Sequence, residues 1–496
     1  MLEAASLWEL IERRADETPD APMVVDETRS TLTFANYRDA AERVAAGLAE
    51  RGIGEGTVVT WILPTTNQAF VLVGALSRLG AIQNPVLPIY REREVGFIAQ
   101  QAKPELLIVP SVYRDFDFAA MARKIVGDDR VLVADGGLPE GDPLALVPFT
   151  GDDDVRWLFY TSGSTADPKG AQHTDANIIA TAHGMGNRLG MRPDDRNGLA
   201  FPFTHIAGPI WLATCLMFGH CHLIVAAFDP STTIPFFKEQ DVTVAGSGTI
   251  FHMAYLTAQR AAPDEPLFGD VRNFPGGGAP KPPQLFYEMQ QEMHAPILSG
   301  YGLTEAPILT MASADDPDDA LANTEGRPMD GVDLRIVTLD GNLAASGEEG
   351  EIRAKAPQLM KGYLDSALDA DAFDADGYFR TGDLGKLVDG YVVITGRVKD
   401  IIIRKGENIS AKEVEDLLFT HPNVSDAAVI GLPDPSSGER ACAVIVGALT
   451  MEEMRAFLAD KGLRKQAIPE QIEIVDVLPR NPAGKVLKQD LRKIYS

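Results

Sequence analysis

Tyr160-Thr161-Ser162-Gly163-Ser164-Thr165-Ala166-Asp167-Pro168-Lys169-Gly170 packs hydroxyls, glycines and one lysine into eleven residues. The stretch follows an apolar run, 155–160, that reads as a strand. A loop of this composition offers many neutral donors and one cation to phosphate oxygens without bulk. It is not a Walker A loop, because the Gly-x-x-x-x-Gly-Lys-Ser/Thr order is absent. Taken alone, a Ser/Gly/Thr loop also suits a flexible surface turn. The sequence on either side decides between the two.

Upstream, Tyr37, Ala41, Val44 and Leu48 recur at helical spacing, with Gly52 as a stop. Residues 58–63 read as a short apolar strand and 68–79 as a helix, followed by Gly80 and a strand into Pro85. Residues 106–109 and 131–133 are further short apolar runs. Strands alternating with helical segments predict βαβ units and a largely parallel sheet. The same rhythm returns after residue 200. No Asp, Glu, Lys or Arg lies between Asn197 and Phe228, but Pro202, Gly208, Pro209, Gly219, His220 and His222 interrupt that stretch. Its longest apolar run, 206–218, falls short of the ~20 residues a bilayer span needs. It reads as a buried helix stopped by Gly219, with a buried strand over 223–228. On a strand, His220-Cys221-His222 would alternate faces with no fourth ligand nearby, so they read as core.

Downstream, the character changes near residue 325. Residues 333–339 (with an Asp340-Gly341 turn), 350–354, 378–380 and 391–395 read as short strands of a small β-rich subdomain. A final unit begins near residue 400. Ser410-Ala411-Lys412-Glu413 is a capping box opening a helix to about Phe419. Strands over 427–432 and 441–446, a helix near 451–460 and a strand over 472–475 complete an α+β unit. Asp315-Asp316-Pro317-Asp318-Asp319 reads as a solvated loop. There is no internal repeat and no low-complexity tract.

Composition narrows the function. The 496 residues carry 45 basic and 71 acidic side chains, a net charge of −26. That length predicts about three domain-sized units. Apolar content of 45% and charge of 23% are those of a globular chain. The acidic balance argues against nucleic acid and against an anionic membrane surface. A polyanionic ligand must be held by local donors working against the overall field. Cys215, Cys221 and Cys442 form neither a disulfide framework nor a zinc set, which fits a reducing compartment. The first residues, Met1-Leu2-Glu3-Ala4, lack the basic start of a signal peptide, and no integral membrane segment is expected. A cytoplasmic location is expected.

The order of further segments resolves the ambiguity of the Ser/Gly/Thr loop. These are Pro202-Phe203-Thr204-His205-Ile206-Ala207-Gly208, Gly276-Gly277-Gly278-Ala279-Pro280, Gly300-Tyr301-Gly302-Leu303-Thr304-Glu305, Gly326-Arg327-Pro328 and Met360-Lys361-Gly362-Tyr363. They continue with Tyr378-Phe379-Arg380-Thr381-Gly382-Asp383-Leu384-Gly385, Gly396-Arg397-Val398-Lys399-Asp400, Arg404-Lys405-Gly406-Glu407-Asn408-Ile409 and Pro479-Arg480-Asn481-Pro482-Ala483-Gly484-Lys485. In this order, from about residue 7 to the end, the chain resembles the adenylate-forming superfamily, and within it the acyl-CoA synthetases.

The resemblance implies a fold and a reaction. The fold is α/β: a large N-terminal domain of several subdomains with parallel sheets and a small β-rich part, about 1–397, and a small mobile α+β C-terminal domain, about 400–496. Lys399 would sit at the hinge. The reaction is attack of a carboxylate on the α-phosphorus of ATP, then transfer of the acyl group to coenzyme A. Both reactants of the first step are anionic, so the protein must align them and neutralise developing charge. By resemblance Lys485 bridges the carboxylate and the α-phosphate, while Glu305, beside Thr304, helps hold Mg²⁺ through hard oxygen donors. Thr161, Ser162, Gly163, Ser164, Thr165 and Lys169 face the phosphates. Gly278, Ala279, Pro280, Tyr301, Gly302, Thr304, Asp383 and Arg397 bind ATP or AMP, with Tyr301 stacking on adenine and Asp383 accepting from the ribose hydroxyls. His205, Gly276 and Gly300 line the acyl pocket, and Lys405, Gly406 and Glu407 serve the thiol step.

Two positions depart from the family pattern. Ala166 stands where glycine is frequent, and Lys488 where arginine is common. Neither is assigned to catalysis. Glycine at 276 and 300 leaves room, which favours a medium-chain, alicyclic or aromatic acid over acetate. Two rival readings stay open: a ligase handing the acyl group to a carrier-protein pantetheine, and a non-catalytic nucleotide-binding protein. The expected partners are a small carboxylic acid, ATP and CoA. The residues do not fix the oligomeric state, and a homodimer is compatible with them.

Overall fold

The helical spacing around Tyr37 becomes the helix Phe34–Ala49, packed on the helix Asn67–Arg78. The two approach so closely that a Cβ on Gly74 would lie 2.8 Å from that of Ala41. The computed structural model describes residues 1–149, 151, 154–161, 168–246, 248–278, 281–404, 407–480 and 486–496, and strand counts refer to these.

Two large sheets share one apolar core. In the five-stranded sheet, Val244–Ala245, Arg196–Leu199, Cys221–Ile224 and Pro22–Asp26 run parallel, with Thr31–Thr33 antiparallel at the edge. The seven-stranded sheet orders Gly362–Tyr363, Lys169–Thr174, Val155–Thr161, Ile82–Pro85, Val58–Trp61, Leu106–Val109 and Val131–Val133. Its last five strands are parallel and its first two join antiparallel. Parallel strands buried on both faces explain the continuous apolar runs read from the sequence.

The uncharged stretch after Asn197 holds the helix Ala207–Phe218, ended by Gly219 at φ +82°. Its strand lies earlier than expected, at Cys221–Ile224, because the backbone leaves the sheet before Phe228. The acidic run is likewise not all loop: Asp318 and Asp319 open a short helix, Asp318–Asn323, where acidic side chains suit the N-terminal dipole. No helix among the described residues is long and apolar enough to cross a membrane.

A smaller sheet orders Phe274–Gly277, Ile297–Tyr301, Thr310–Met311 and Arg327–Pro328. The β-rich part is a four-stranded antiparallel sheet of Asp333–Val337, Gly350–Lys355, Phe379–Val388 and Tyr391–Arg397. The C-terminal domain has its own sheet, with Glu407–Ser410, Ile401–Arg404, Gly438–Gly447 and Val424–Asp434 in order and Gln471–Ile474 beside Gly438–Gly447. Ser410 caps the helix Ala411–Leu418 by accepting from the Glu413 amide, the one half of the expected capping box formed among the described residues.

Candidate active site

The strands Val155–Thr161 and Lys169–Thr174 are hydrogen-bonded neighbours, with Thr161 opposite Lys169. They bracket the Ser/Gly/Thr loop. Ser162, Gly163, Ser164, Thr165 and Ala166 lie outside the described residues, as do Ala279, Pro280, Lys405, Gly406 and Lys485. The structure therefore speaks to the frame around these positions.

That frame converges on one turn. Tyr301 ends the strand Ile297–Tyr301, and the chain then folds back so that the Leu309 amide donates to the Tyr301 carbonyl at 2.7 Å. Gly302 makes the fold-back feasible, since a Cβ there would lie 2.1 Å from the Ile308 nitrogen. The turn presents Thr304 and Glu305. His173, on the Lys169–Thr174 strand, holds the Thr304 carbonyl through Nε2 at 2.8 Å. Burial pushes His173 down to about 4, so the ring is neutral and Nε2 carries the proton it donates. The Tyr363 hydroxyl donates to Glu305 Oε1 at 2.8 Å, and Lys169 Nζ lies 5.0 Å from the Tyr363 ring centroid.

On the other side of the turn the Tyr301 hydroxyl donates to Asp383 Oδ2 at 2.9 Å, and Arg397 Nε pairs with Asp383 Oδ1 at 2.9 Å. Asp383 and Arg397 face each other across adjacent antiparallel strands, which fixes that pair by register. Burial, followed by the Asp383 charge, pushes the Tyr301 phenol up, so it stays a donor. An unbroken chain of contacts thus runs from Arg397 through Asp383, Tyr301 and the Glu305 turn to Tyr363 and Lys169. Gly278 has φ +76° with open space around it, the left-handed region that favours glycine.

His205 lies on a small cavity of about 30 Å³ that it shares with Tyr160, Ile206 and Thr304. Its Nδ1 accepts from the Ala207 amide at 3.3 Å, and burial pushes it down to about 4. Among the described residues, the buried Tyr160 hydroxyl and Thr204 Oγ1 have no hydrogen-bond partner. The two glycines assigned to the acyl pocket are more crowded than their sequence implies. A Cβ on Gly276 would lie 3.0 Å from His252 Cε1, and one on Gly300 would lie 2.6 Å from Met311 Sδ. The space a side chain would take is filled by neighbours, so the roomy-pocket reading does not follow from these glycines.

At the expected hinge, Lys399 lies in a 3₁₀ turn, Val398–Asp400. Asp400 pairs with Arg492 at 2.9 Å, and the Ser410 hydroxyl donates to the Thr395 carbonyl at 2.7 Å. Burial opposes the Asp400 charge, but Lys488 and Arg492 hold its carboxyl below the usual range. Lys488, one of the two departures, pairs with Glu415 at 2.7 Å. Glu407 opens its strand opposite Arg404 and lies 3.8 Å from Arg464.

Sequence reasoning assigned no role to Tyr363 or His173; the only signal was Tyr363's place in the Met360–Tyr363 segment. It also did not bring Cys215 to His220 and His222, whose potential ligand atoms lie within 4.8 Å of one another. His222 already spends both nitrogens, on Asn197 and on the Trp211 carbonyl, as a core residue does.

Known proteins share the sequence pattern and the fold. The pattern of the AMP-binding enzyme family matches residues 11–364, and that of the AMP-binding enzyme C-terminal domain matches 413–485. A medium-chain fatty-acid–CoA ligase of Escherichia coli is 30% identical, over 99% of this chain and 90% of its own length. A 2,3-dihydroxybenzoate-AMP ligase of Bacillus subtilis is 29% identical, over 94% of this chain and 89% of its own. The fold matches an O-succinylbenzoate coenzyme A synthetase from Bacillus subtilis, solved with ATP and magnesium ion. The TM-score is 0.87 and identity 26%, covering 98% of this chain and 99% of that one.

Proposed function

The chain belongs to the AMP-binding enzyme family, within the adenylate-forming superfamily of acyl-CoA and acid–AMP ligases, and on that premise we propose that it is a carboxylic acid–CoA ligase. The acid attacks the α-phosphorus of ATP, releasing pyrophosphate and leaving acyl-AMP. The CoA thiol then displaces AMP to give the thioester. A medium-chain, alicyclic or aromatic acid is the proposed substrate; similarity to the medium-chain ligase supports it, and the two glycines do not.

The observation that carries the reading is the contact chain from Arg397 to Lys169. It links the residues proposed for ribose, adenine, metal and phosphate into one frame. Asp383 has the oxygens to receive ribose hydroxyls and is oriented by Tyr301 and Arg397. Glu305 fits Mg²⁺: it is a hard carboxylate donor, and among the described residues only Oε1 is hydrogen-bonded. When bound, Mg²⁺ would neutralise the β- and γ-phosphates. Lys169 adds a cation to the phosphates, and Tyr160 and Thr204 give buried hydroxyls beside His205 for the reacting carboxylate. Lys485 is proposed, on its sequence segment, to meet the charge that builds between carboxylate and α-phosphate. The C-terminal domain is proposed to deliver it and then turn about Lys399, bringing Lys405, Gly406 and Glu407 to the thiol step.

Pyrophosphate release with a panel of acids, with and without CoA, tests the overall reaction. Single-turnover assays of each half-reaction test the mechanism. Lys485→Ala should slow acyl-AMP formation by ~10²–10³, the worth of one electrostatic donor. It should still convert synthetic acyl-AMP and CoA to thioester. Lys399→Pro should form acyl-AMP yet transfer slowly, because proline fixes φ at the hinge. Equal slowing of both steps by Lys485→Ala, or no effect of Lys399→Pro, would overturn the alternation. Acyl-AMP formed but passed only to a carrier protein would select the rival acceptor.

A further inference from the structure

Tyr363 is held more firmly than its short strand requires. Gly362–Tyr363 pairs antiparallel with Lys169–Thr174, with Ala171 opposite Tyr363 and Gln172 opposite Gly362. The Lys361 amide donates to the Gln172 carbonyl at 2.8 Å and the Leu364 amide to the Gly170 carbonyl at 2.8 Å. The Tyr363 amide donates to Asp369 Oδ1 at 2.9 Å, and its carbonyl accepts from Gln172 Nε2 at 3.1 Å. One residue earlier, Gly362 has φ +135°, and a Cβ there would lie 2.7 Å from Asp369 Oδ2. Only glycine fits that approach without displacing the carboxylate that anchors Tyr363. On the other flank the Met360 amide donates to the Glu305 carbonyl at 2.9 Å. Residues 360–364 therefore strap the strand that follows the Ser/Gly/Thr loop to the turn that carries Glu305.

The Tyr363 side chain contacts the charges on both elements. Its hydroxyl donates to Glu305 Oε1 at 2.8 Å, and its ring faces the Lys169 ammonium, 5.0 Å from the centroid. One side chain thus contacts both charges, the carboxylate through its hydroxyl and the ammonium through its ring. Tyr363 is only 4% exposed, so water does not compete for the bond.

We propose that Tyr363 is a positioning residue that holds and aims Glu305 and Lys169 for a divalent-metal nucleoside triphosphate. Its hydroxyl serves the metal side through Glu305, and its ring serves the phosphate side through Lys169. The proposal rests on the use of Mg²⁺–ATP argued above, and the two roles are separable because they use different parts of one side chain.

Calorimetric titration of the full chain with ATP, in EDTA and across a Mg²⁺ series, separates them without relying on turnover. Wild-type protein should bind ATP more tightly with Mg²⁺. Tyr363→Phe keeps the ring and removes the hydroxyl. It should bind metal-free ATP as wild type does, within about twofold, and lose about tenfold of the Mg²⁺-dependent gain, the scale of one hydrogen bond to a charged group. Tyr363→Leu should lose that gain and also bind metal-free ATP about two- to fivefold more weakly, the scale of one cation–π contact. Thermal unfolding of both variants is recorded alongside. A Tyr363→Phe protein with the full Mg²⁺ gain overturns the proposal. So does one that loses equal affinity with and without metal. Wild-type protein that binds no ATP overturns the function proposed above instead.

Discussion

At Gly300 a side chain would have to displace atoms already in contact. The Met311 sulfur, the Thr310 carbonyl at 3.0 Å and Ile308 fill the volume that a Cβ would enter. Gly300→Ala is therefore expected to overpack the strand Ile297–Tyr301 and cost about 1–3 kcal/mol. Urea unfolding measures that cost, and the acid panel run on the same variant measures preference. A variant as stable as wild type that prefers shorter acids would show Gly300 bordering open pocket instead. The contrast with Asp383 is instructive. There the neighbours, Tyr301 and Arg397, orient a functional group rather than fill a gap, and antiparallel register placed one of them.

The segment before the helix Ala207–Phe218 shows the same logic one level up. Five apolar or small residues around His205 could have made an ordinary loop, but the helix begins by doubling back on it. The Gly208 amide donates to the His205 carbonyl at 2.7 Å, and a Cβ at 208 would lie 1.9 Å from the Phe203 carbonyl oxygen. Backbone cannot yield as a flexible side chain can. Gly208→Ala is expected to cost about 3 kcal/mol, at the upper end for overpacking, and to move His205 off its cavity. Denaturant midpoints for Gly208→Ala and Gly300→Ala, measured together, check the order. A Gly208→Ala protein with the wild-type midpoint would mean this start of the helix can open at no cost.

Across the whole molecule, His173, His222 and His252 are at most 1% exposed, and burial holds each near about 4 against an ordinary 6.5. The unfolded chain takes up these protons as pH falls below 6.5, and the folded chain does not until near 4. The native state is therefore at full advantage above 6.5 and loses it on acidification between 6.5 and 4, at about 1.4 kcal/mol per pH unit for each site. His252→Gln should flatten the pH dependence of unfolding free energy in that window by one such slope. An unchanged slope would show His252 protonated in the native protein.

Local pattern was enough for the alternating strands and helices, the stop at Gly219, the Ser410 cap and the family to which the chain belongs. Each depends on neighbours in sequence: apolar periodicity, a left-handed glycine, a side chain three residues from an amide. The ordered segments likewise identified Lys169, Glu305, Asp383 and Arg397 as candidates one at a time. Sequence could not show that Tyr363 joins Glu305 to Lys169, because those residues are 58 apart on one side and meet only across paired strands. Nor could it show that the space beside Gly276 and Gly300 is occupied, since His252 and Met311 arrive from other elements. Periodicity and caps are properties of the chain. Packing volume and side-chain contacts are set by which distant segments fold against each other, and only the tertiary structure fixes that.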